Sequence, residues 1–367
     1  MTDAMSPLES EIRRRIAAAG PMPVREYMAL CLADPRFGYY TTRDPLGARG
    51  DFITAPEISQ MFGELIGLWM AAVWKKMGAP ANIKVIELGP GRGTLMKDAL
   101  RALQVMPGFR DAIELHLVEM SPALTAAQRR TLGGLSTPVF WHSALTDVPA
   151  GPAIIIANEF FDALPVNQMV KTTDGWHERC VGIDDEGNFA FALAPEPLPR
   201  FDTLLSPFLR AVPEGSVFEW RDDVPAMQLG RRLSSEGGAA LVIDYGHVMS
   251  EAGDTLQAVG GHAYADPLSF PGEVDLTAHV DFQALTQAIE AMGARGFGPI
   301  EQGDLLRRLG IETRAATLKA RATPEAAATI DAALLRLTAA GRTGMGVLFK
   351  AAAYTHPSLG VPPAFES

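Results

Sequence analysis

A doubly wound α/β domain built on a mostly parallel, Rossmann-like sheet is predicted by three observations. Short apolar runs alternate with helical periodicity between Asn82 and Pro165, the first run ends in a glycine-rich turn, and the second closes on an acid. Alternation of strand and helix means a parallel sheet with helices on both faces. The 367 residues, 47% of them hydrophobic, suffice for a sizeable core and more than one layer or domain.

In chain order, the segment up to about Ala79 reads as helical with a loop in its middle. Ser6 or Ser10 stands where it would cap a helix through Ala19, and Val24–Asp34 reads as a second helix. Ile58, Met61, Phe62, Leu65, Ile66, Trp69 and Val73 recur at three- and four-residue steps, the mark of an amphipathic third helix serving the core or an interface. Between them, Phe37–Glu57 is rich in Gly, Pro and aromatics, too apolar a loop to be a mere connection. Strands follow at Lys84–Leu88, Ile113–Glu119, Pro138–His142 and Ala153–Ala157, with helices at Thr94–Leu103 and Pro122–Leu132. From about Val166 to Glu236 the character changes. Strands at Asn167–Lys171, Trp176–Val181 and Asn188–Leu193 and the proline-rich run Ala194–Pro199 describe an inserted β-rich subdomain.

The sheet resumes at Ala239–Tyr245. Asp281 caps a helix through Met292, a strand lies near Gly296–Glu301, and Thr323 caps a helix with Pro324 in its first turn. Met345–Ala351 reads as the last strand and the tail from Tyr354 as a surface strap. The expected organisation is an N-terminal helical lid region (1–80), a core of 81–165 and 239–355, an inserted subdomain (166–238) and a tail (356–367).

The turn after the first strand carries Glu87, Gly89, Gly91 and Gly93, spaced Glu-x-Gly-x-Gly-x-Gly. Alternating glycines let a ligand approach the backbone, and the helix beginning at Thr94 aims its N–H groups at that place. Because position 94 is Thr, the G-x-G-x-x-G spacing of dinucleotide-binding folds is not met. Glu119 closes the second strand, where a doubly wound fold grips ribose hydroxyls. The pattern resembles the first motif of class I S-adenosylmethionine-dependent methyltransferases. The fourth strand runs into Asn158, Glu159, Phe160, Phe161 and Asp162. Two acids and an amide among phenylalanines are costly unless something polar or cationic binds there. The plainer alternatives are a simple tight turn, a solvated strand-end glutamate and a helix cap with solvated acids.

Composition narrows the partners. The formal net charge is −11 and no Lys/Arg run exceeds Arg13–Arg15, so nucleic acid is not expected, because phosphate neutralisation needs a basic face. Two cysteines argue against a disulfide scaffold, and seven scattered histidines offer no H-x-x-x-H pair, so no metal is expected. The most apolar helix candidate, Leu65–Trp74, falls short of the roughly 20 residues a span needs. The N-terminus mixes acids with its basic residues, unlike an export or mitochondrial presequence. A cytoplasmic protein without membrane insertion is the expectation.

Five stretches taken together resemble the MidA family: Gly50–Gly67, Val85–Leu100, Ala157–Gln168, Val242–Gly246 and Asp275–Phe282. That family includes the mitochondrial arginine methyltransferase that assists assembly of respiratory complex I. The resemblance covers nearly the whole chain and implies a class I methyltransferase fold with S-adenosyl-L-methionine as donor. It implies a protein substrate, an arginine on a NADH–quinone oxidoreductase (complex I) subunit or a similar partner. By motif, Glu87, Gly89, Gly91 and Gly93 would hold the methionine end of the donor. Glu119, with Met120 beside it, would hold the ribose, and Trp141, His142 and Ser143 would lie near adenine. Asp51, Phe52 and Thr54 would close over the donor as a lid. An arginine acceptor stays protonated, so carboxylates gripping its N–H groups would orient the reacting nitrogen and help remove a proton. Glu159 and Asp162, with Asn158, are the candidates for that grip. Asp244 with Tyr245, and His279 four residues after Asp275, are second choices. A small-molecule O- or N-methyltransferase and a non-catalytic assembly factor remain the competing functions, and a homodimer is open.

Overall fold

Apolar runs become central strands where both of their faces can be covered. The computed structural model describes residues 5–42, 54–261, 263–341 and 344–366. The chain divides into two compact units. One comprises Ile53–Phe161, Asp223–Val248 and Val280–Ser367; the other comprises Met1–Phe52, Asp162–Asp222 and Met249–His279.

The first unit is organised by Ile83–Leu88 (β1), Ile113–Val118 (β2), Val139–His142 (β3), Ala153–Asn158 (β4), Gly238–His247 (β5), Arg295–Glu301 (β6) and Phe349–Thr355 (β7). They lie in the order β3-β2-β1-β4-β5-β7-β6. All neighbours from β3 to β5 are parallel, and β7 runs antiparallel to both β5 and β6. Every residue of β4 is buried, as its apolar sequence requires of a strand covered on both faces. From the adjacent pair β1 and β4 the chain proceeds outward in opposite directions, to β2 and to β5, which makes their carboxyl ends the topological switch point.

Helix starts follow their caps. Ser121 accepts the Leu124 N–H at 3.1 Å to open Pro122–Leu132, and Asp281 accepts the Ala284 N–H at 3.0 Å to open Phe282–Glu290. Thr323 caps Pro324–Thr338 in the same way. The long helix Gln60–Lys76 lies against Thr94–Ala102 through glycines. A Cβ on Gly63 would stand 2.8 Å from the Leu95 carbonyl oxygen, and one on Gly67 2.8 Å from that of Ala99. The two helices therefore touch backbone to backbone. This places Gln60–Lys76 in the sheet unit and not in an N-terminal region ending near residue 80. Its apolar residues are buried except for Leu68 and Ala72.

The second unit draws on three separated stretches. Val166–Lys171, Trp176–Ile183, Phe189–Leu193 and Val217–Arg221 form an antiparallel sheet, joined by Met22–Pro23, where Met22 pairs with Val181. Helices Pro7–Ala19, capped by Ser6, and Val24–Ala33 bury Leu8, Ile12, Tyr27 and Met28 in one core with Val166, Val181 and Leu276. Gln257–Gly260, Ala263–Ala265 and Asp275–Thr277 add a small antiparallel sheet that the sequence patterns did not predict.

Two boundaries differ from expectation. The inserted segment does not run to residue 238, because Val224–Glu236 is a helix of the sheet unit. The last strand begins at Phe349 and carries through Tyr354, which is fully buried and bonded to Thr286, so Tyr354 does not start a surface strap. Residues 345–346 instead hydrogen-bond the end of the preceding helix, Met345 N–H to the Arg336 carbonyl at 2.8 Å and Gly346 N–H to that of Ala339 at 3.0 Å. No helix among the described residues is long and apolar enough to cross a membrane.

Candidate active site

Glu87 is the last but one residue of β1 and is buried, with Oε2 lacking any hydrogen-bond partner among the described residues. Burial pushes its carboxyl up to about 8, and the nearby Glu119 charge adds to the effect. A buried carboxyl held short of partners is a group built to meet something polar. The turn that follows places Gly89, Gly91 and Gly93 at φ of +62°, +53° and +81°. Only glycine occupies this left-handed region without strain. A Cβ on Gly89 would stand 3.0 Å from Phe160 Cδ2, so the loop after β4 presses directly on the turn.

Glu119 follows β2 and is held at both oxygens. The Ser121 N–H donates to Oε1 at 2.7 Å and the Gln128 amide to Oε2 at 3.1 Å. Burial raises its pKa in spite of these bonds. Met120 beside it is exposed. On β3, the Trp141 indole N–H donates to Gln128 Oε1 at 3.0 Å, and the Arg129 guanidinium sits 4.0 Å from the ring centroid. The His142 ring bonds the His116 ring at 2.9 Å. Burial keeps both imidazoles neutral near pH 7, His116 pushed down to about 4 and His142 below its ordinary range.

At the carboxyl end of β4, the Asn158 amide donates to Glu159 Oε1 at 3.0 Å, while the buried Asn158 Oδ1 has no partner among the described residues. Glu159 has φ of +51°, a left-handed conformation that costs a non-glycine residue about 1–2 kcal/mol. Its backbone N–H donates to the Ile243 carbonyl at 2.9 Å and its Oε1 accepts the Ala55 N–H at 3.4 Å. Asp244, fully buried, accepts the Phe161 and Tyr245 N–H groups at 3.0 Å each, which makes it an anchor for this loop. Thr54 precedes the short helix Ala55–Ile58 without a side-chain capping bond, and Glu57 of that helix accepts the Thr94 hydroxyl at 2.6 Å. Asp51 and Phe52 lie outside the described residues.

The sheet unit thus brings together Glu87, the three glycines, Glu119, Trp141, Asn158 and Glu159. Asp162 and His279 belong to the other unit. There the Asp162 carbonyl accepts the Ala278 N–H at 3.2 Å, and Arg221 forks across the carbonyls of Asp162, Leu164, Ala278 and His279. Asp275 accepts the Tyr40 hydroxyl at 2.8 and 3.0 Å on its two oxygens. Among the described residues no cluster suited to a metal occurs. Sequence reasoning missed Gln128 and Arg221. The signal for Gln128 was present: it is a lone amide between Leu124 and Leu132 on the buried stripe of its helix.

Comparison with known proteins agrees with this geometry. Residues 65–300 match the family described as "Putative S-adenosyl-L-methionine-dependent methyltransferase". The chain is 39% identical to the mitochondrial protein arginine methyltransferase NDUFAF7 homolog of Drosophila melanogaster, over 87% of this chain and 78% of that one. It is 38% identical to the human mitochondrial protein arginine methyltransferase NDUFAF7, over 84% of this chain and 75% of that one. A Burkholderia thailandensis protein solved bound to S-adenosyl-homocysteine superposes with a TM-score of 0.82 at 31% identity, covering 98% of this chain and 92% of that chain. The expectation of a cytoplasmic protein is overturned, since these animal relatives are named as mitochondrial. The fold, the glycine turn with its acids and these relatives lead to one assignment: the chain belongs to this MidA-like family and is an S-adenosyl-L-methionine-dependent methyltransferase.

Proposed function

We propose that the chain methylates an arginine side chain of a partner protein, a NADH–quinone oxidoreductase subunit or a protein like it. The observation that carries the reading is the identity to named protein arginine methyltransferases across more than four-fifths of this chain.

The residues fit the donor. Glu87 offers a buried, unpartnered oxygen, and the left-handed glycines present bare backbone beside it. S-adenosyl-L-methionine, when bound, supplies an electrophilic methyl group on a cationic sulfur. In this reading Glu87, Gly89, Gly91 and Gly93 hold its methionine end, and Glu119 with Met120 holds the ribose. Trp141 borders the adenine, and His142 contributes through its carbonyl, which accepts the Glu119 N–H at 2.9 Å. Thr54, which precedes the short helix Ala55–Ile58, borders the donor in the same reading.

The acceptor guanidinium is cationic and delocalised, so the protein must aim it and take up a proton. Glu159 is the residue proposed for both tasks. Asn158 holds one of its oxygens, and its strained backbone is fixed by the bond to Ile243. Phe160 supplies an apolar wall against the glycine turn, which excludes water from the transfer. Asp162 is the second acid of the proposal, with Asp162→Asn expected to lower turnover at unchanged donor affinity. A homodimer is its finest-grained element. With Gln60–Lys76 committed to the core, sedimentation showing only a monomer removes that element.

The experiment is incubation of the purified chain with donor labelled in the methyl group and a cell extract containing the oxidoreductase, followed by protein hydrolysis. Label in methylarginine is the expected result. Label confined to small metabolites transfers the assignment to a small-molecule methyltransferase, and no transfer with no donor binding points to an assembly factor.

A further inference from the structure

Gln128 is fully buried, and both N–H groups and the oxygen of its amide are engaged by residues of the proposed donor site. Its nitrogen donates to the Gly91 carbonyl at 2.8 Å and to Glu119 Oε2 at 3.1 Å, and its oxygen accepts the Trp141 indole N–H at 3.0 Å. The amide can face only one way. Trp141 has a donor and no acceptor, whereas the Gly91 carbonyl and an ionised Glu119 accept and cannot donate. Trp141 therefore fixes the oxygen, and the nitrogen is left to the turn and the acid. Gly93, at φ of +81°, lies against the same helix, where a Cβ would stand 3.3 Å from Leu132 Cδ1 and 3.7 Å from the Gln128 Cα. A buried amide with unmet bonds is costly, so this one holds its three neighbours in register.

We infer that Gln128 is a positioning residue, which sets the Glu119 carboxylate and the Gly91 carbonyl in donor-binding geometry before the donor arrives. With Ser121 N–H on one oxygen and Gln128 on the other, Glu119 is pinned in a single orientation. A pinned carboxylate meets two ribose hydroxyls without first losing rotamer freedom. The inference rests on the reading of Glu119 as the ribose acid.

Calorimetric titration tests it, with S-adenosyl-homocysteine and its 2′-deoxy analogue as the probes. The proteins are the full wild-type chain, Gln128→Met, Glu119→Gln and the double variant. Methionine keeps the volume and removes the amide. The expected result is about tenfold weaker S-adenosyl-homocysteine binding by Gln128→Met. That loss should be clearly smaller for the deoxy analogue and should shrink in the Glu119→Gln background, where only the bond to the Gly91 carbonyl is left to lose. Equal loss for both ligands, or full additivity in the double variant, means a merely structural role and overturns the inference. If Glu119→Gln weakens binding while Gln128→Met leaves it at the wild-type value, the inference falls and the ribose reading survives. If Glu119→Gln itself binds as the wild type does, both fall.

Should Gln128→Met fail to fold, Trp141→Phe frees the amide to turn while keeping the aromatic volume. A several-fold loss larger for the hydroxylated ligand supports the positioning role, and a loss equal for both ligands, or none, overturns it.

Discussion

The acids at the strand ends of the sheet unit and the polar groups framing the other unit are held in different ways. In the sheet unit, Glu87 and Glu119 stand at strand ends with raised pKa values, one of them with an unpartnered oxygen, and Glu159 is held in a strained conformation. In the other unit the buried Asp275 is matched by the Tyr40 hydroxyl, and Arg221 directs its guanidinium to four backbone carbonyls. The first pattern costs stability unless a ligand completes it, and the second stabilises a unit assembled from three separated stretches. The difference teaches where to look for chemistry. Strained or incompletely bonded polar groups at the ends of the sheet are where the proposed donor and acceptor site lies, and the Arg221 fork is part of the framework.

The comparison can be broken most severely at the glycine turn. Gly91→Val forces a β-branched residue to φ of +53° in the turn proposed to meet the donor, and donor affinity should fall more than about a hundredfold. Calorimetry showing unchanged affinity would displace the site. Glu159→Gln comes next. Donor binding is expected to persist while methyl transfer drops by about a hundredfold or more, as expected for loss of a general base. Wild-type turnover would clear the residue of any catalytic part. Arg221→Ala probes the framework instead. It strips four carbonyls of a partner, so the urea midpoint should drop by the equivalent of about 2–3 kcal/mol. A midpoint within error of the wild type would show that the fork is incidental.

The most gradual effect is in pH dependence. Glu87 has a folded-state pKa raised from 4.5 to about 8. Its contribution to stability is therefore present below the ordinary value and is lost as pH rises through that window. Donor-free protein should lose stability between about pH 5 and 8, with a slope no steeper than about 1.4 kcal/mol per pH unit from this group. In Glu87→Gln that component should be absent. Parallel pH profiles for the two proteins would show that Glu87 is solvated after all.

Much of the sheet unit was legible because its signals are local. Ile83–Leu88, Ile113–Val118 and Ala153–Asn158 are apolar runs, and Ser121, Asp281 and Thr323 announce their helices within a few residues. The other unit was harder to read for the opposite reason. Its cohesion comes from pairs such as Met22 with Val181 and Tyr40 with Asp275, separated widely in the chain, and no short-range pattern reports them. The same holds for the edge of the sheet, where hydrogen bonds to a helix end moved the last strand's start from residue 345 to Phe349.

By itself the sequence determined the kind of domain, the glycine turn and the acids that close its strands, because periodicity and glycine spacing act through neighbouring residues. The tertiary structure alone decided which polar side chains are satisfied and which are held ready. Whether Gln128 pins Glu119, whether Glu87 keeps its proton and what Arg221 grips depend on burial and on atoms brought close only by folding.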